Sequence, residues 1–386
     1  MSNRGVVSGI HSDLDLIKYG KYQNGRSALV TQGGGQCGIF TSGVLDAFLL
    51  SNFDPFDVFY GTSAGALNIS AYLCRQPGIG KAFTLDLTTD DKFFHLFSYM
   101  RRKQSMDLDW ALNKFRDYPY KLDLDMGRKV LRERQAFAAV TEVSSIKDRY
   151  VPLLSENWYD VMRATCAIPG LYSEEVIIEG KRFVDGGVTA AIPVQEAWRQ
   201  GARNIIVIRT ESLESEVEKI RELNIDVHWI KEPMNNVQDR WNKTVEQWKN
   251  EWSGFWQEQI DKSRQKKTDH KHLDILNGGR WLYGAGDVYR LSHLLGGKFD
   301  SGLADFFMVH YQSLALTNAF LSNPPDDCFI VQIVPSEPLK SSPLMSKKED
   351  LIFDYELGLS AGYEFIKQHS LARKNAANIP ESRCKY

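Results

Sequence analysis

Ser63 stands at the centre of Gly61-Thr62-Ser63-Ala64-Gly65, where the strand-like run Phe56–Tyr60 gives way to the helix formers Ala66–Cys74. A serine on such a strand-to-helix turn has its hydroxyl lifted clear of the backbone, and small neighbours are needed where the bend is crowded. A serine hydroxyl is a weak nucleophile until a base takes its proton. Asp185, in Asp185-Gly186-Gly187, is a carboxylate at the exit of a strand-like segment and could serve as that base. The third feature is Gly33-Gly34-Gly35-Gln36-Cys37-Gly38. Glycines there let backbone N–H groups turn toward a negative charge, and a helix that follows adds its partial positive charge. A nucleophile, a base and an anion cradle are the parts of an acyl-transfer site. Each also has a plain structural role: a tight turn at Gly33–Gly38, a helix cap at Ser63, an Asp-Gly-Gly turn at Asp185.

The elements that must position these residues follow from the hydrophobic pattern. Ser27–Gln32 reads as a strand ended by glycines, and Ile39–Ser51 repeats apolar residues at helical spacing. The strand, turn and helix around Ser63 repeat the unit at once, and two adjacent β-turn-α units argue for a parallel sheet covered by helices. Their turns then share the carboxyl edge of the sheet, where α/β proteins bind ligands. Asp90–Arg134 reads as covering helices and Ala136–Val143 as a strand. Glu174–Ile178 and Lys181–Val184, joined by Glu179-Gly180, read as a hairpin ending at Asp185. A helix over Val194–Gln200 and buried strands at Asn204–Ile208 and Phe329–Val334 follow, with a closing helix at Tyr355–Gln368. Between Ser212 and about Lys298 the sequence turns charged and tryptophan-rich, as an inserted helical cap would be.

Composition excludes several classes. Hydrophobic residues are 43% and charged residues 25%, the balance of an ordinary globular protein and not of a disordered one. Lysine plus arginine (47) offsets aspartate plus glutamate (49), so the net charge of −2 gives no long-range attraction to nucleic acid or anionic lipid. Met1–Arg26 has no apolar core of a secretory signal, and the apolar stretch Phe306–Leu321 is interrupted by His310, Gln312 and Asn318, which argues against a spanning helix. Five scattered cysteines, Cys37, Cys74, Cys166, Cys328 and Cys384, have no metal or disulfide spacing and fit reduced thiols of a cytoplasmic protein. Neither a metal nor a cofactor is expected.

Taken together, the motifs resemble the patatin-like phospholipase family, whose pattern is a G-G-G-x-[RK]-G loop, a G-x-S-x-G elbow one unit later and a distant D-G-[GA]. Ala164-Thr165-Cys166-Ala167-Ile168-Pro169-Gly170 is similar to the family's A-[ST]-x-A-x-P block, and Ala190-Ala191-Ile192-Pro193-Val194 to the continuation after the aspartate. The likeness is strong over about Ser27–Thr210 and looser over Phe329–Lys367. It implies a three-layer α/β/α sandwich with a mostly parallel central sheet, while the helical cap, read from composition, lies outside the likeness. The corresponding organisation is an N-terminal extension (1–26), a catalytic core (27–210), the cap (211–300), the C-terminal part of the core (301–370) and a tail (371–386). It also implies an acyl-enzyme mechanism on lipid or other acyl esters. Ser63 would be the nucleophile and Asp185 the proton acceptor of a dyad without histidine, with the amides of Gly33, Gly34 and Gly35 as oxyanion hole and Gly38, Gly61, Gly65, Gly186 and Gly187 as motif glycines. Cys37 departs from the pattern, because the family usually has a cation there. Backbone amides form the hole, so activity is expected to survive the change.

Three other readings stay open at this level. A Ser-His-Asp triad would add His293 or His310. A nucleotide-binding protein would use Gly33, Gly35 and Gly38 on a pyrophosphate, with Asp54 or Asp57 near a ribose. A catalytically silent scaffold of the same fold is the third. In the cap, Trp241, Val245, Trp248, Trp252 and Phe255 recur at helical spacing beside Lys243, Lys249 and Lys262. The stripe suits either packing against its own domain or contact with a membrane surface or acyl chain.

Overall fold

The computed structural model describes residues 3–94, 106–212 and 301–377. The chain divides into two units, Met1–Lys219 with Asp300–Tyr386, and Ile220–Phe299. The tryptophan stripe and His293 fall outside the described residues.

Nine strands of the first unit form one sheet: β1 (Arg4–Val7), β2 (Ser27–Thr31), β3 (Val58–Thr62), β4 (Gln135–Glu142), β5 (Lys147–Pro152), β6 (Val176–Ile178), β7 (Lys181–Asp185), β8 (Asn204–Ile208) and β9 (Phe329–Ile333). Their order is β1-β9-β8-β2-β3-β4-β7-β6, with β5 also paired to β4. The pairs from β1 through β4 are parallel, whereas β4–β5, β4–β7 and β6–β7 are antiparallel. Every residue of β2, β3, β8 and β9 is buried, which is why these strands read as unbroken apolar runs: helices cover both faces. On one face α2 (Ile39–Leu50) packs with the C-terminal helix Lys348–Ala377, where Phe48 meets Phe365. On the other, Val194 and Ala197 of the Val194–Arg199 helix and Phe320 and Leu321 of the Ser301–Ser322 helix share a core with Val30 and Val207. The mostly parallel three-layer sandwich is therefore the observed fold.

The 174–185 hairpin also forms, and its turn residues Glu179 (φ 50°) and Gly180 (φ 76°) are both left-handed, as a tight two-residue connection requires. Three details differ from the sequence expectation. The 1–26 extension is part of the sheet, since β1 pairs in parallel with β9 and α1 (Leu16–Tyr22) follows it. Its Gly5-Val6-Val7 run is too short to show a period. β5 was not anticipated because it is charged and largely accessible, pairing along one edge of β4 only. The closing helix, expected over Tyr355–Gln368, runs from Lys348 to Ala377. No helix of the described residues is long and apolar enough to cross a membrane.

Candidate active site

Strand register brings Ser63 and Asp185 together. Thr62, the last residue of β3, lies opposite Ala139 of β4, and Asp185, the last of β7, lies opposite Val140. One edge of β4 is occupied from Phe137 to Glu142 by β5, so β7 must share the other edge with β3. The two strands run toward each other along it and end head to head. The chain then turns into α3 (Ala64–Leu73) at Ser63 and into a helical turn, Gly187–Ala190, just after Asp185.

Ser63 has φ 52° and ψ −124°, a left-handed conformation costing a non-glycine residue roughly 1–3 kcal/mol. The neighbours hold it there. Its N–H donates to Thr165 Oγ1 (2.9 Å), whose hydroxyl donates in turn to Ala139 O (2.6 Å). Thr62 Oγ1 donates to Ala190 O (2.7 Å), tying the elbow to the segment after the aspartate. A Cβ on Gly65 would stand 2.7 Å from Gln32 O, and one on Gly61 2.6 Å from Ala66 Cα, so both flanking glycines are demanded by close approach.

Ser63 and Asp185 are each 7% exposed, which removes most water from both. Burial pushes the Asp185 carboxyl up to about 7, opposed by the Gly187 N–H, which donates to Asp185 Oδ1 (2.6 Å), and by the Ser63 side chain. A carboxylate poised near neutrality is a far better proton acceptor than an exposed one. Gly186 is sterically required, since an added Cβ would lie 2.0 Å from the backbone Ala139 O, and a Cβ on Gly187 would stand 2.8 Å from Asp185 Oδ1.

The glycine loop lies against this pair. A Cβ on Gly33 would contact Ser63 Cβ at 3.4 Å, and one on Gly38 would lie 2.8 Å from Ala64 Cβ. The expectation of three oxyanion donors needs one correction: the Gly33 N–H donates to Ala191 O (3.0 Å) and is not free for a ligand. Among the described residues, neither the Gly34 nor the Gly35 amide is committed in this way. Gly34 (φ 152°) and Gly35 (φ 57°) turn the chain into the short helix Gly35–Gly38 that runs on into α2.

Two neighbours escaped the sequence reading. Thr165 is fully buried and belongs to the Ala164–Gly170 block, which only its likeness to a family pattern marks out in the sequence. Cys166 interacts with the Ser63 side chain and with Asp185, and burial followed by the Asp185 charge pushes its thiol far up. It stays protonated and does not compete as a nucleophile. No spacing rule could have announced either contact.

The other candidate residues have partners of their own. His310 Nδ1–H donates to Gly187 O (2.5 Å), so the nitrogen that a triad would turn toward its aspartate is given to the backbone. Asp54 forms ion pairs with Arg75 and Arg134, and Asp57 Oδ2 accepts the Ser27 N–H (2.7 Å) at the opposite end of β2 and β3 from the glycine loop. Neither aspartate is placed for a nucleotide ribose at that loop. The Cys37 thiol donates to Ser341 O (3.5 Å) instead of pointing a charge at the site.

With this geometry in place, comparison with known proteins adds relationship. The pattern of the patatin-like phospholipases matches residues 29–198, and that of a domain of unknown function, DUF6363, matches residues 300–371. Uncharacterized protein YjjU of Escherichia coli (strain K12) is 31% identical over 347 residues, 89% of this chain and 78% of that protein. Among solved structures, VipD from Legionella pneumophila aligns at 12% identity with a TM-score of 0.33, covering 89% of this chain and 67% of that one.

Proposed function

Since the chain belongs to the patatin-like phospholipase family, a family of lipid acyl hydrolases, we propose that it cleaves acyl esters with a Ser63–Asp185 dyad through an acyl-enzyme. The observation that carries this reading is the head-to-head meeting of β3 and β7 on β4, with both chemical groups withdrawn from water.

As Ser63 Oγ attacks the ester carbonyl carbon, Asp185 takes its proton. The negative charge passing to the carbonyl oxygen is met by the amides of Gly34 and Gly35. Each such donor is typically worth about 10²–10³ in rate. The N-terminus of α3, at whose N-cap position Ser63 stands with its hydroxyl making no cap hydrogen bond, favours the developing alkoxide. Collapse of the tetrahedral species breaks the bond to the leaving alcohol, which receives the proton from Asp185. Water then attacks the acyl-Ser63 ester with Asp185 again as base, releasing the fatty acid and restoring the serine.

Asp185 must be ionised to act, and its carboxyl is raised to about 7. On short soluble esters kcat/KM is therefore expected to fall about tenfold per pH unit below pH 6 and to level above pH 8. A profile flat down to pH 5 would contradict Asp185 as the base. Thr165→Val, which keeps shape but removes both hydroxyl hydrogen bonds, is expected to lower kcat by roughly ten- to a hundredfold with little change in KM. Thr165→Ser should restore most of it. Equal activity of all three would show that the elbow does not depend on this hydroxyl. Assays on esters of graded chain length would then define the preferred acyl group.

A further inference from the structure

The C-terminal region holds the glycine loop through a chain of named contacts. The Gln36 N–H donates to Pro343 O (2.9 Å), the Ser346 N–H donates to Gln36 Oε1 (2.8 Å), and the Cys37 thiol donates to Ser341 O. A Cβ on Gly35 would lie 2.3 Å from Pro343 O, so at this point the loop rests directly on the backbone of residues 341–346. On its far side Gln36 Nε2 donates to Thr88 Oγ1 (3.0 Å) and Thr88 O (3.2 Å).

Residues 340–346 are themselves fixed by Asp354. This fully buried carboxylate accepts the Lys340 N–H at Oδ1 (3.0 Å) and the Ser341 N–H at Oδ2 (2.7 Å). Asp354 sits on the Lys348–Ala377 helix, which packs on α2 in backbone contact: Cβ atoms on Gly43 and Gly358 would lie 2.2 Å from Tyr355 O and 2.1 Å from Phe40 O. α2 is the helix into which the glycine loop runs. The contacts thus close a frame that runs from the loop through α2 and the C-terminal helix to Asp354, and back to the loop through residues 340–346.

We propose that this frame is the function of the C-terminal region of unassigned role: Asp354 is a positioning residue that, through residues 340–346, sets the Gly34 and Gly35 amides where an oxyanion forms. The inference rests on the acyl-hydrolase reading for its catalytic consequence. Holding donors within a fraction of an ångström is where binding geometry becomes rate. In this chain the loop carries Cys37 in place of a cation, and its thiol is one of the ties to that frame.

The test compares the full-length wild type with Asp354→Ala, Asp354→Asn and Gln36→Met by steady-state hydrolysis of a short soluble ester and by amide exchange of the peptide spanning residues 33–38. Asp354→Ala and Gln36→Met are expected to lower kcat at least tenfold at nearly constant KM and to speed exchange of that peptide, while β3 keeps wild-type protection. Asp354→Asn, which retains an acceptor, should fall between. A folded Asp354→Ala with wild-type kcat and exchange would overturn the proposal, as would a melting temperature that drops while kcat holds. If Asp354→Ala does not fold, Gln36→Met decides by the same two readouts. A wild type inert toward esters would remove the acyl-hydrolase reading instead, and the exchange result alone would decide the frame.

Discussion

Ser63→Ala is expected to reduce ester hydrolysis by about 10⁴-fold or more, to the background left by binding and the oxyanion donors alone. Alanine removes the attacking oxygen and adds no bulk, and the backbone hydrogen bond from residue 63 to Thr165 Oγ1 remains. The fold should therefore be unchanged. Alanine is no better than serine at φ 52°, so the strain of the elbow persists in the variant and melting temperatures should agree within a few degrees. Residual hydrolysis at a substantial fraction of wild type, in protein free of contaminating esterases, would mean that another nucleophile acts.

Asp185→Asn is expected to cost at least about 10³-fold in kcat while making the protein more stable in mild alkali. The sign follows from the carboxyl being held near 7, above its ordinary value of 3.8. The native state grips this proton more tightly than the unfolded chain does. The resulting stabilisation is complete below about pH 4 and is lost as pH rises to about 7. With the group ionised at pH 8, the protein lacks the stabilisation, on the order of 4 kcal/mol, that this carboxyl contributes when it is protonated below about pH 4. Asparagine carries no such charge, and its carbonyl oxygen can still accept the Gly187 N–H. Melting curves of wild type and variant should thus separate at pH 8 with the variant higher, and converge near pH 4. A variant less stable at pH 8 would mean that Asp185 is held by compensating interactions and is not poised as a base.

The amount of this that could be read from the sequence varies with the physics involved. β2, β3, β8 and β9 were legible because strands covered on both faces must be apolar throughout, and the hairpin before Asp185 because Gly180 readily takes one of the two left-handed positions of its turn. The motif residues were legible because close backbone approach demands glycine, as at Gly65 beneath Gln32 O. What could not be read was how the pair meets. A shared carboxyl edge of parallel strands suggests proximity, but the actual device is an antiparallel β7 abutting β3 on β4, and register between strands this far apart in the chain leaves no local mark. The same holds for Thr165 and Asp354, whose hydroxyl and carboxylate act on backbone groups that any sequence would supply. Gly33 illustrates the reverse error. Its position in the motif suggested an oxyanion donor, yet its N–H is spent on Ala191 O and the residue serves instead to let the loop reach Ser63.

Incubation with a fluorophosphonate followed by peptide mass mapping tests most directly whether Ser63 is a nucleophile activated at neutral pH. A single stoichiometric adduct on Ser63 is expected, forming faster as pH rises through about 7 and absent from Ser63→Ala. No adduct on the wild type, or an adduct on a different residue, would contradict Ser63 as that nucleophile.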